Sequence, residues 1–281
     1  MDKLELYRWA VQDPETHAIV LSTMYQQLRH GRQPLVLRED FAGTSAESVA
    51  WVALRRGRRA IAVDIDGPTV EWARRRASRL LGSLAPAVEF VLGDVRRIGP
   101  PDVDLADIIS VLNFSILFQR DQESLEAYLR QARNGLATEG ILVFNVFGGE
   151  DNLCPGKTIR HVTPRVLLPG EVPCQEFDYT WEVRFHDRVL KQLDCRIHFS
   201  IPDASDRGRN HEMLDAFQYD WRLWSLQELI DACCRAGFSA VQIWRHTYDP
   251  SMGEAGVFLG RVEPDSLLAL PNWEAYVVAC R

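Results

Sequence analysis

The sequence predicts an α/β protein: a seven-stranded, mostly parallel doubly wound sheet with an antiparallel last strand, plus an inserted antiparallel β cap. Two patterns support this prediction. Before residue 150, short apolar runs alternate with amphipathic helical segments, as in parallel sheets that helices cover on both faces. After residue 150, apolar and polar residues alternate one by one, which is typical of antiparallel strands with one buried face.

The first 34 residues are predicted to form an N-terminal helical cap. Asp13-Pro14-Glu15 is a typical helix start, because aspartate caps a helix and proline fits its first position. The core is predicted over residues 35–149 and 224–281, and the inserted β cap over residues 150–223. The 281 residues thus form one core with additions, since the core pattern resumes after the insert.

Five apolar runs are predicted to be the parallel strands of the core. They cover residues 35–37, 60–63, 88–91, 107–112 and 141–144. Thr44-Ser45-Ala46-Glu47 has the spacing of a capping box and opens the first helix of the core. Residues 240–244 and 273–279 are predicted to be the last two strands, joined by a loop through residues 250–271.

The insert is predicted to contain three antiparallel strands. Residues 177–185, 193–201 and 217–223 place apolar, largely aromatic side chains at every second position. Residues 203–212 are polar throughout and are predicted to form a loop. Packing is the first interpretation of the aromatic face, and contact with a substrate is the alternative.

The charge and composition of the chain argue against several classes of function. A net charge of −7 argues against binding nucleic acid over the whole surface. No apolar run approaches the roughly 20 residues that cross a bilayer, and the N-terminus is charged from its second residue, so a cytoplasmic location is expected. The six cysteines form no CxxC pair, and Cys154, Cys174 and His161 match no zinc-ligand spacing, so no metal is predicted.

The residues that directly follow the predicted strands are the candidate ligand-binding residues, because ligands bind at the carboxyl ends of such strands. They are Glu39, Asp40, Phe41, Ala42, Gly43, Asp64, Asp94, Asn113 and Asn145. The first turn has one glycine and no lysine, which is unsuited to a pyrophosphate. A carboxylate after the second strand can accept hydrogen bonds from both ribose hydroxyls. The pattern therefore favours a nucleoside with little phosphate.

These motifs resemble the class I, Rossmann-like S-adenosylmethionine-dependent methyltransferases over about residues 35–145 and 224–281. The residues Leu37-Arg38-Glu39-Asp40-Phe41-Ala42-Gly43-Thr44 are also similar to the LREDFxGT motif of an uncharacterised bacterial methyltransferase group. The resemblance implies S-adenosyl-L-methionine as cofactor. It places the methionine part against residues 39–45, the ribose on Asp64, the adenine beside Ile65, Asp94 and Val95, and the reacting methyl near Asn113 and Phe114.

The predicted activity is methyl transfer to a nitrogen or oxygen atom of a small-molecule acceptor. The candidate catalytic residues are Asn113, His198 and Tyr219, and His161, His211 and Tyr179 are further candidate bases. The alternatives are a non-catalytic protein that binds S-adenosylmethionine and a methyltransferase that acts on protein or RNA. A nicotinamide-dependent oxidoreductase is disfavoured because the three-glycine fingerprint is missing. The sequence predicts no oligomeric state.

Overall fold

The computed structural model of the protein describes residues 1–166, 168, 170–203, 210–248 and 257–281. Its helices, in chain order, are α1 (Lys3–Val11), α2 (Pro14–Leu28), α3 (Ala46–Leu54), α4 (Gly67–Leu81), α5 (Gln122–Gly135), α6 (Glu150–Leu153), α7 (Leu226–Arg235) and α8 (Pro264–Leu268). Its strands are β1 (Val36–Asp40), β2 (Arg59–Asp64), β3 (Val88–Leu92), β4 (Ala106–Val111), β5 (Leu136–Gly148), β6 (Gly156–Val162), β7 (Phe177–Asp187), β8 (Gln192–Pro202), β9 (Asn210–Arg222), β10 (Ala240–Tyr248), β11 (Val257–Arg261) and β12 (Trp273–Cys280). None of the helices in these ranges is long and apolar enough to cross a membrane.

The larger sheet has eight strands in the order β11-β10-β12-β5-β4-β1-β2-β3. Strands β1 to β5 are parallel, and β12 runs antiparallel between β5 and β10. The mixed α/β sheet is confirmed, but the predicted count of seven strands is wrong by one. The extra strand, β11, falls in the predicted loop through residues 250–271 and pairs only with β10, at the edge of the sheet. Residues 250–256 of that predicted loop lie outside the described residues.

The smaller sheet is antiparallel, in the order β6-β7-β8-β9. Three of its strands coincide with the predicted alternating segments. β6 was not predicted, because it is an edge strand whose side chains are exposed except for Val162. The predicted loop at residues 203–212 is shorter than expected: β9 already begins at Asn210, and residues 204–209 lie outside the described part of the chain.

The smaller sheet packs on the core through its apolar face. Cys195 and Trp221 of this face belong to the same buried cluster as the β4 and β5 side chains. Further along the same face, Phe177 and Phe199 pack against Leu6 of α1. The N-terminal helix and the smaller sheet therefore share one apolar interface, which lies near the carboxyl ends of the core strands.

The start of α3 differs from the predicted capping box. Ser45 is the N-cap residue, and its side chain makes no capping hydrogen bond. The Thr44 hydroxyl instead donates to Gln12, and Glu47 bonds His17 of α2. Both contacts join α3 to the N-terminal segment, so the residues that looked like a local cap form a tertiary network.

Candidate active site

The turn after β1 has an unusual backbone. Phe41, Gly43 and Ser45 all lie in the left-handed region, with φ of 57°, 49° and 54°. Glycine is the residue that adopts this conformation without steric cost, and other residues hold it where the surrounding structure imposes it, often at functional sites. A Cβ added at Gly43 would meet no atom within 4 Å. The turn therefore presents open backbone to a ligand, although two of its three left-handed positions carry side chains.

The buried side chain of Glu39 connects the end of β1, just before this turn, to α3. Its Oε2 atom accepts hydrogen bonds from the backbone N–H and the hydroxyl of Ser48, at 2.8 and 2.5 Å. Burial and the neighbouring Glu47 raise the pKa of Glu39 well above its ordinary value. Burial also disfavours the charge on Glu47, but the hydrogen bond and charge of His17 outweigh it and lower the pKa of Glu47. The two shifts run in opposite directions, so within this pair the negative charge is favoured on Glu47, which faces His17.

The ion pair between His17 and Glu47 makes stability depend on pH. Burial opposes protonation of His17, but the hydrogen bond from Glu47 and its charge raise the pKa of His17 above its ordinary value. We expect His17→Gln to cost about 1–2 kcal/mol of unfolding free energy at pH 5.5. A raised folded-state pKa gives stability that is complete below the unfolded pKa of about 6.5 and is lost as pH rises through the folded value.

Urea unfolding of wild type and His17→Gln at pH 5.5, 7 and 8.5 checks this expectation. The difference between the two proteins should shrink at the highest pH. His30→Gln is the control, because His30 is exposed. A difference between wild type and His17→Gln that stays constant over the three pH values would contradict the assignment.

Asp64 ends β2 and faces the turn after β1. Its Oδ2 atom accepts the Gly43 N–H at 2.7 Å, and its Oδ1 atom accepts the Asp66 N–H at 2.9 Å. These two bonds fix the carboxylate and leave further lone pairs for ligand donors. The next residue, Ile65, has 71% of its surface exposed, which leaves an apolar side chain beside the carboxylate.

Asp64 and Ile65 line a cavity of about 370 Å³ at the carboxyl ends of the core strands, which we call the first cavity. Phe41, Asp94 and Val95 line it as well. Arg96 bonds both carboxylate oxygens of Asp94, with Nη2 2.6 Å from Oδ2. These hydrogen bonds lower the pKa of Asp94. The structure therefore brings together five of the residues predicted from the sequence.

Asn113 and Phe114 follow β4 and are also left-handed, with φ of 52° and 62°. The Phe114 N–H donates to Oδ1 of Asn145 at 2.9 Å, and Nδ2 of Asn145 donates to Glu274 at 2.8 Å. Asn145, which lies within β5, therefore holds this turn in place and links it to β12.

A second cavity, of about 440 Å³, lies between this turn and the smaller sheet, and we call it the aromatic cavity. Its lining includes Tyr7, Tyr179, Trp181, Tyr219, Trp221 and Glu274, together with Asn113 and Phe114. Phe118 separates the two cavities. It lines the first one, and its ring lies 6.2 Å from that of Tyr219 and 6.1 Å from that of Trp221.

The phenols of the aromatic cavity are hydrogen-bond donors and not bases near neutral pH. Burial raises the pKa of Tyr179 to about 12 and the pKa of Tyr219 well above its ordinary value. Burial likewise raises the pKa of Tyr7, whose hydroxyl is hydrogen-bonded to that of Tyr219. Among the residues that line this cavity, Glu274 carries the carboxylate and Arg245 the positive side chain, so the two formal charges balance.

Several predicted residues do not line either cavity. The Asp40 carboxylate points into the core, where Arg38 Nε lies 2.7 Å from Oδ1 and the Tyr128 hydroxyl 2.9 Å from Oδ2. Glu39 is buried against α3, and Ala42 is buried as well. His161 is exposed at the sheet edge, bonded to Asp178, and His211 is exposed on β9.

His198 lies on the face of the smaller sheet opposite the aromatic cavity. Its Nε2 atom is 2.8 Å from a Glu182 oxygen, and its Nδ1 atom accepts the Asp215 N–H at 3.0 Å. Glu182, His198 and Asp215 are close enough together to hold a metal ion. Both ring nitrogens of His198 are already engaged in hydrogen bonds. We therefore interpret this cluster as one that stabilises the β8–β9 bulge.

Tyr7, Trp181, Trp221 and Glu274 line the aromatic cavity and were absent from the predicted site residues. The period-two aromatic pattern could have identified Trp181 and Trp221, since they lie two residues after Tyr179 and Tyr219 and therefore face the same way. The sequence did not identify Glu274 as a site residue, because a single acid at the start of the last strand belongs to no recognisable motif.

No family model and no curated protein matches this sequence. Solved structures show that the fold is that of the class I S-adenosylmethionine-dependent methyltransferases. One such enzyme from Clostridium acetobutylicum superposes with a TM-score of 0.67 at 13% identity, over 98% of this chain and 96% of that one.

Two further structures resemble the chain over nearly its whole length. CalS10 of Micromonospora echinaspora, an amino pentose methyltransferase solved with S-adenosylmethionine bound, has a TM-score of 0.64 at 14% identity, over 98% of this chain and 94% of that one. The sugar N-methyltransferase KedS8 of Streptoalloteichus has a TM-score of 0.63 at 16% identity, over 98% and 91%. At these identities the likeness establishes the fold, and it extends over the inserted sheet.

Proposed function

We propose that the protein is an S-adenosylmethionine-dependent methyltransferase whose acceptor is a small molecule with an amine or hydroxyl group. The observation that carries the proposal is the pair of cavities on either side of Phe118. One has carboxylates suited to a nucleoside, and its Asp64 accepts the N–H of the open turn at Gly43. The other has the volume and mixed aromatic and polar lining typical of small-molecule sites.

The residues of the first cavity fit the cofactor. Asp64 would accept the ribose hydroxyls, Ile65 and Val95 would pack on the adenine, and Asp94 lies where the adenine edge would be. The open space at Gly43 would admit the methionine part against the backbone of the turn. The bound cofactor supplies an activated methyl group on a sulfonium, so the protein has mainly to align the acceptor and exclude water.

The aromatic cavity favours an amine over a hydroxyl. Tryptophan and tyrosine faces attract cations, and Trp181, Tyr179 and Tyr219 line this cavity together. Glu274 is placed to accept the proton that an ammonium group must lose before it can attack the methyl. Tyr7, which accepts a hydrogen bond from Tyr219 and keeps its own proton, would donate a hydrogen bond to an acceptor oxygen. The amino pentose and sugar N-methyltransferases among the structural neighbours support the same class of acceptor.

We further propose that α1, α2 and residues 150–223 form a substrate cap. Tyr7 enters the aromatic cavity from α1, and Tyr219 enters it from β9. A cap of this kind would enclose the acceptor and keep water from the reacting methyl. His198 has no place in this mechanism, since it faces away from the cavity.

A turnover assay tests the proposal. Formation of S-adenosylhomocysteine is measured with a panel of amino sugars, other primary amines and their hydroxyl analogues. We expect turnover with an amine, and a drop in kcat of about 10²-fold or more in Glu274→Gln. The affinity of that variant for S-adenosylhomocysteine should stay unchanged.

Glu89→Gln is the matched control, because Glu89 is exposed on β3, far along the sheet from β12. Tight cofactor binding without turnover on any small molecule, protein or RNA would favour the non-catalytic alternative. Equal kcat in Glu274→Gln and wild type would remove the proton-accepting role of Glu274.

A further inference from the structure

A third cavity, of about 370 Å³, lies between α1 and α4 beside residues 171–172. It shares no lining residue with the first or the aromatic cavity. Its charged lining consists of Arg8, Arg75, Arg76, Arg79, Glu5 and Glu171, and its flat walls are Trp9 and Trp72. Four arginines therefore face two glutamates, and the lining carries a net charge of +2.

Two of these arginines are buried and, among the described residues that line the cavity, share the carboxylate of Glu171. Only 2% of Arg8 and 8% of Arg76 is exposed, and both guanidinium groups bond the same Oε1 atom of Glu171. Arg8 Nε and Arg76 Nη1 have no hydrogen-bond partner within the described ranges. Since buried charge is costly unless it is paired, this arrangement would be stabilised by a further anion.

The other two arginines stand at the mouth of the cavity. Arg75 and Arg79 are one turn apart on α4, on the side that faces the cavity, and both are exposed. Arg75 Nη1 lies 3.8 Å from Oε1 of Glu71, an exposed ion pair that an incoming anion can replace. Arg75 and Arg79 can therefore contact an anion at the mouth, while Arg8 and Arg76 supply positive charge deeper in the cavity. Burial and the nearby Arg8 lower the pKa of Arg76 to about 10, in keeping with an excess of positive charge.

We propose that this cavity binds a phosphate-bearing small molecule. The planar guanidinium group matches phosphate oxygens in pairs of hydrogen bonds, and a dianion would balance the charge of the lining. Trp9 and Trp72 provide apolar walls for the organic part of the ligand, for which 370 Å³ leaves room. The site is separate from the proposed methyl-transfer site and does not depend on that function.

The third cavity is connected to the proposed substrate cap through α1. Arg8 directly follows Tyr7, so one helix contributes to both the third and the aromatic cavities. A phosphate group bound to α4 and α1 together would hold α1 against the core.

Isothermal titration calorimetry with pyrophosphate, at ionic strength held constant with sodium chloride, tests the proposal. We expect saturable binding to wild type with one site per chain. The double variant Arg75→Ala/Arg79→Ala should bind at least about tenfold more weakly, because it loses two charge-assisted hydrogen-bond donors. Both side chains are exposed, so the variant is expected to fold, which its thermal melting curve verifies.

Arg59→Ala/Arg130→Ala is the matched control. It removes the same amount of charge from two exposed arginines that pair with Asp104 and Glu126 outside the cavity. This variant should bind pyrophosphate as wild type does. Equal weakening by both double variants, or the absence of saturable binding to wild type, would overturn the proposal.

Discussion

Replacing Asp64 by alanine should weaken the binding of S-adenosylhomocysteine by about 100-fold or more. The carboxylate is fixed by the N–H groups of Gly43 and Asp66 and would accept two ribose hydroxyls. A hydrogen bond to a charged group contributes about 1.5–3 kcal/mol, and 2.7 kcal/mol corresponds to a factor of about 100 in Kd. Calorimetric titration with S-adenosylhomocysteine measures the effect directly.

Asp66→Ala is the control for this experiment. Asp66 lies two residues away and caps α4 by accepting the Thr69 N–H at 3.0 Å. Its loss should cost about 1 kcal/mol of unfolding free energy and leave the affinity within about threefold of wild type. If Asp64→Ala bound as tightly as Asp66→Ala, the ribose assignment and the proposed cofactor site would both fail.

Replacing Arg38 by leucine should destabilise the protein by about 3–5 kcal/mol. The Arg38 side chain is fully buried, lies 2.7 Å from Asp40 and donates to the carbonyl of Ile98 at 3.0 Å. Leucine would leave the Asp40 carboxylate buried with Tyr128 as its remaining side-chain partner. Since removing one member of a buried ion pair leaves an uncompensated charge, the midpoint of urea unfolding should fall strongly.

Two comparisons make this test specific. Arg59→Leu breaks an exposed ion pair with Asp104 and should change stability by no more than about 1 kcal/mol. The double variant Arg38→Leu/Asp40→Leu removes both charges and should recover much of the loss. An Arg38→Leu variant no less stable than Arg59→Leu would show that the buried ion pair does not stabilise the fold.

The sequence was sufficient for the parts of the fold where burial dictates residue type. Strands β1, β2, β4 and β5 lie inside the sheet and are largely buried, while β3 lies at its edge with Glu89 and Leu92 exposed. Each of the five still contributes a short apolar run, and the polar residue after each run marks the ligand side of the sheet. Asp64 and Asp94 could be found in this way.

The edge strand β6 escaped notice because its side chains are exposed except for Val162. The edge strand β11 escaped notice because its apolar run, Val257-Phe258-Leu259, is too short to distinguish a strand from a loop.

Side-chain partners were much harder to predict than strand ends. Glu39 and Asp40 are adjacent acids, but one lies beneath α3 and the other contacts Tyr128, which is distant in the sequence. Nor does the sequence reveal that Phe41 and Ser45 adopt a glycine-like backbone. The direction of His198 could have been inferred, since Ile197 and Phe199 on either side of it are apolar and alternate side chains face opposite ways.

The position of β12 has a consequence for how the chain folds. Strand β5 pairs with β4 on one side and with β12 on the other, and its residue Ile141 meets Cys280. During synthesis β5 therefore emerges long before one of its two neighbours, with a row of unpaired backbone groups along an apolar strand. Contacts of such long range slow folding and leave an edge prone to wrong association. The centre of this sheet is therefore completed only after β12, the last of its strands in the sequence, has been synthesised.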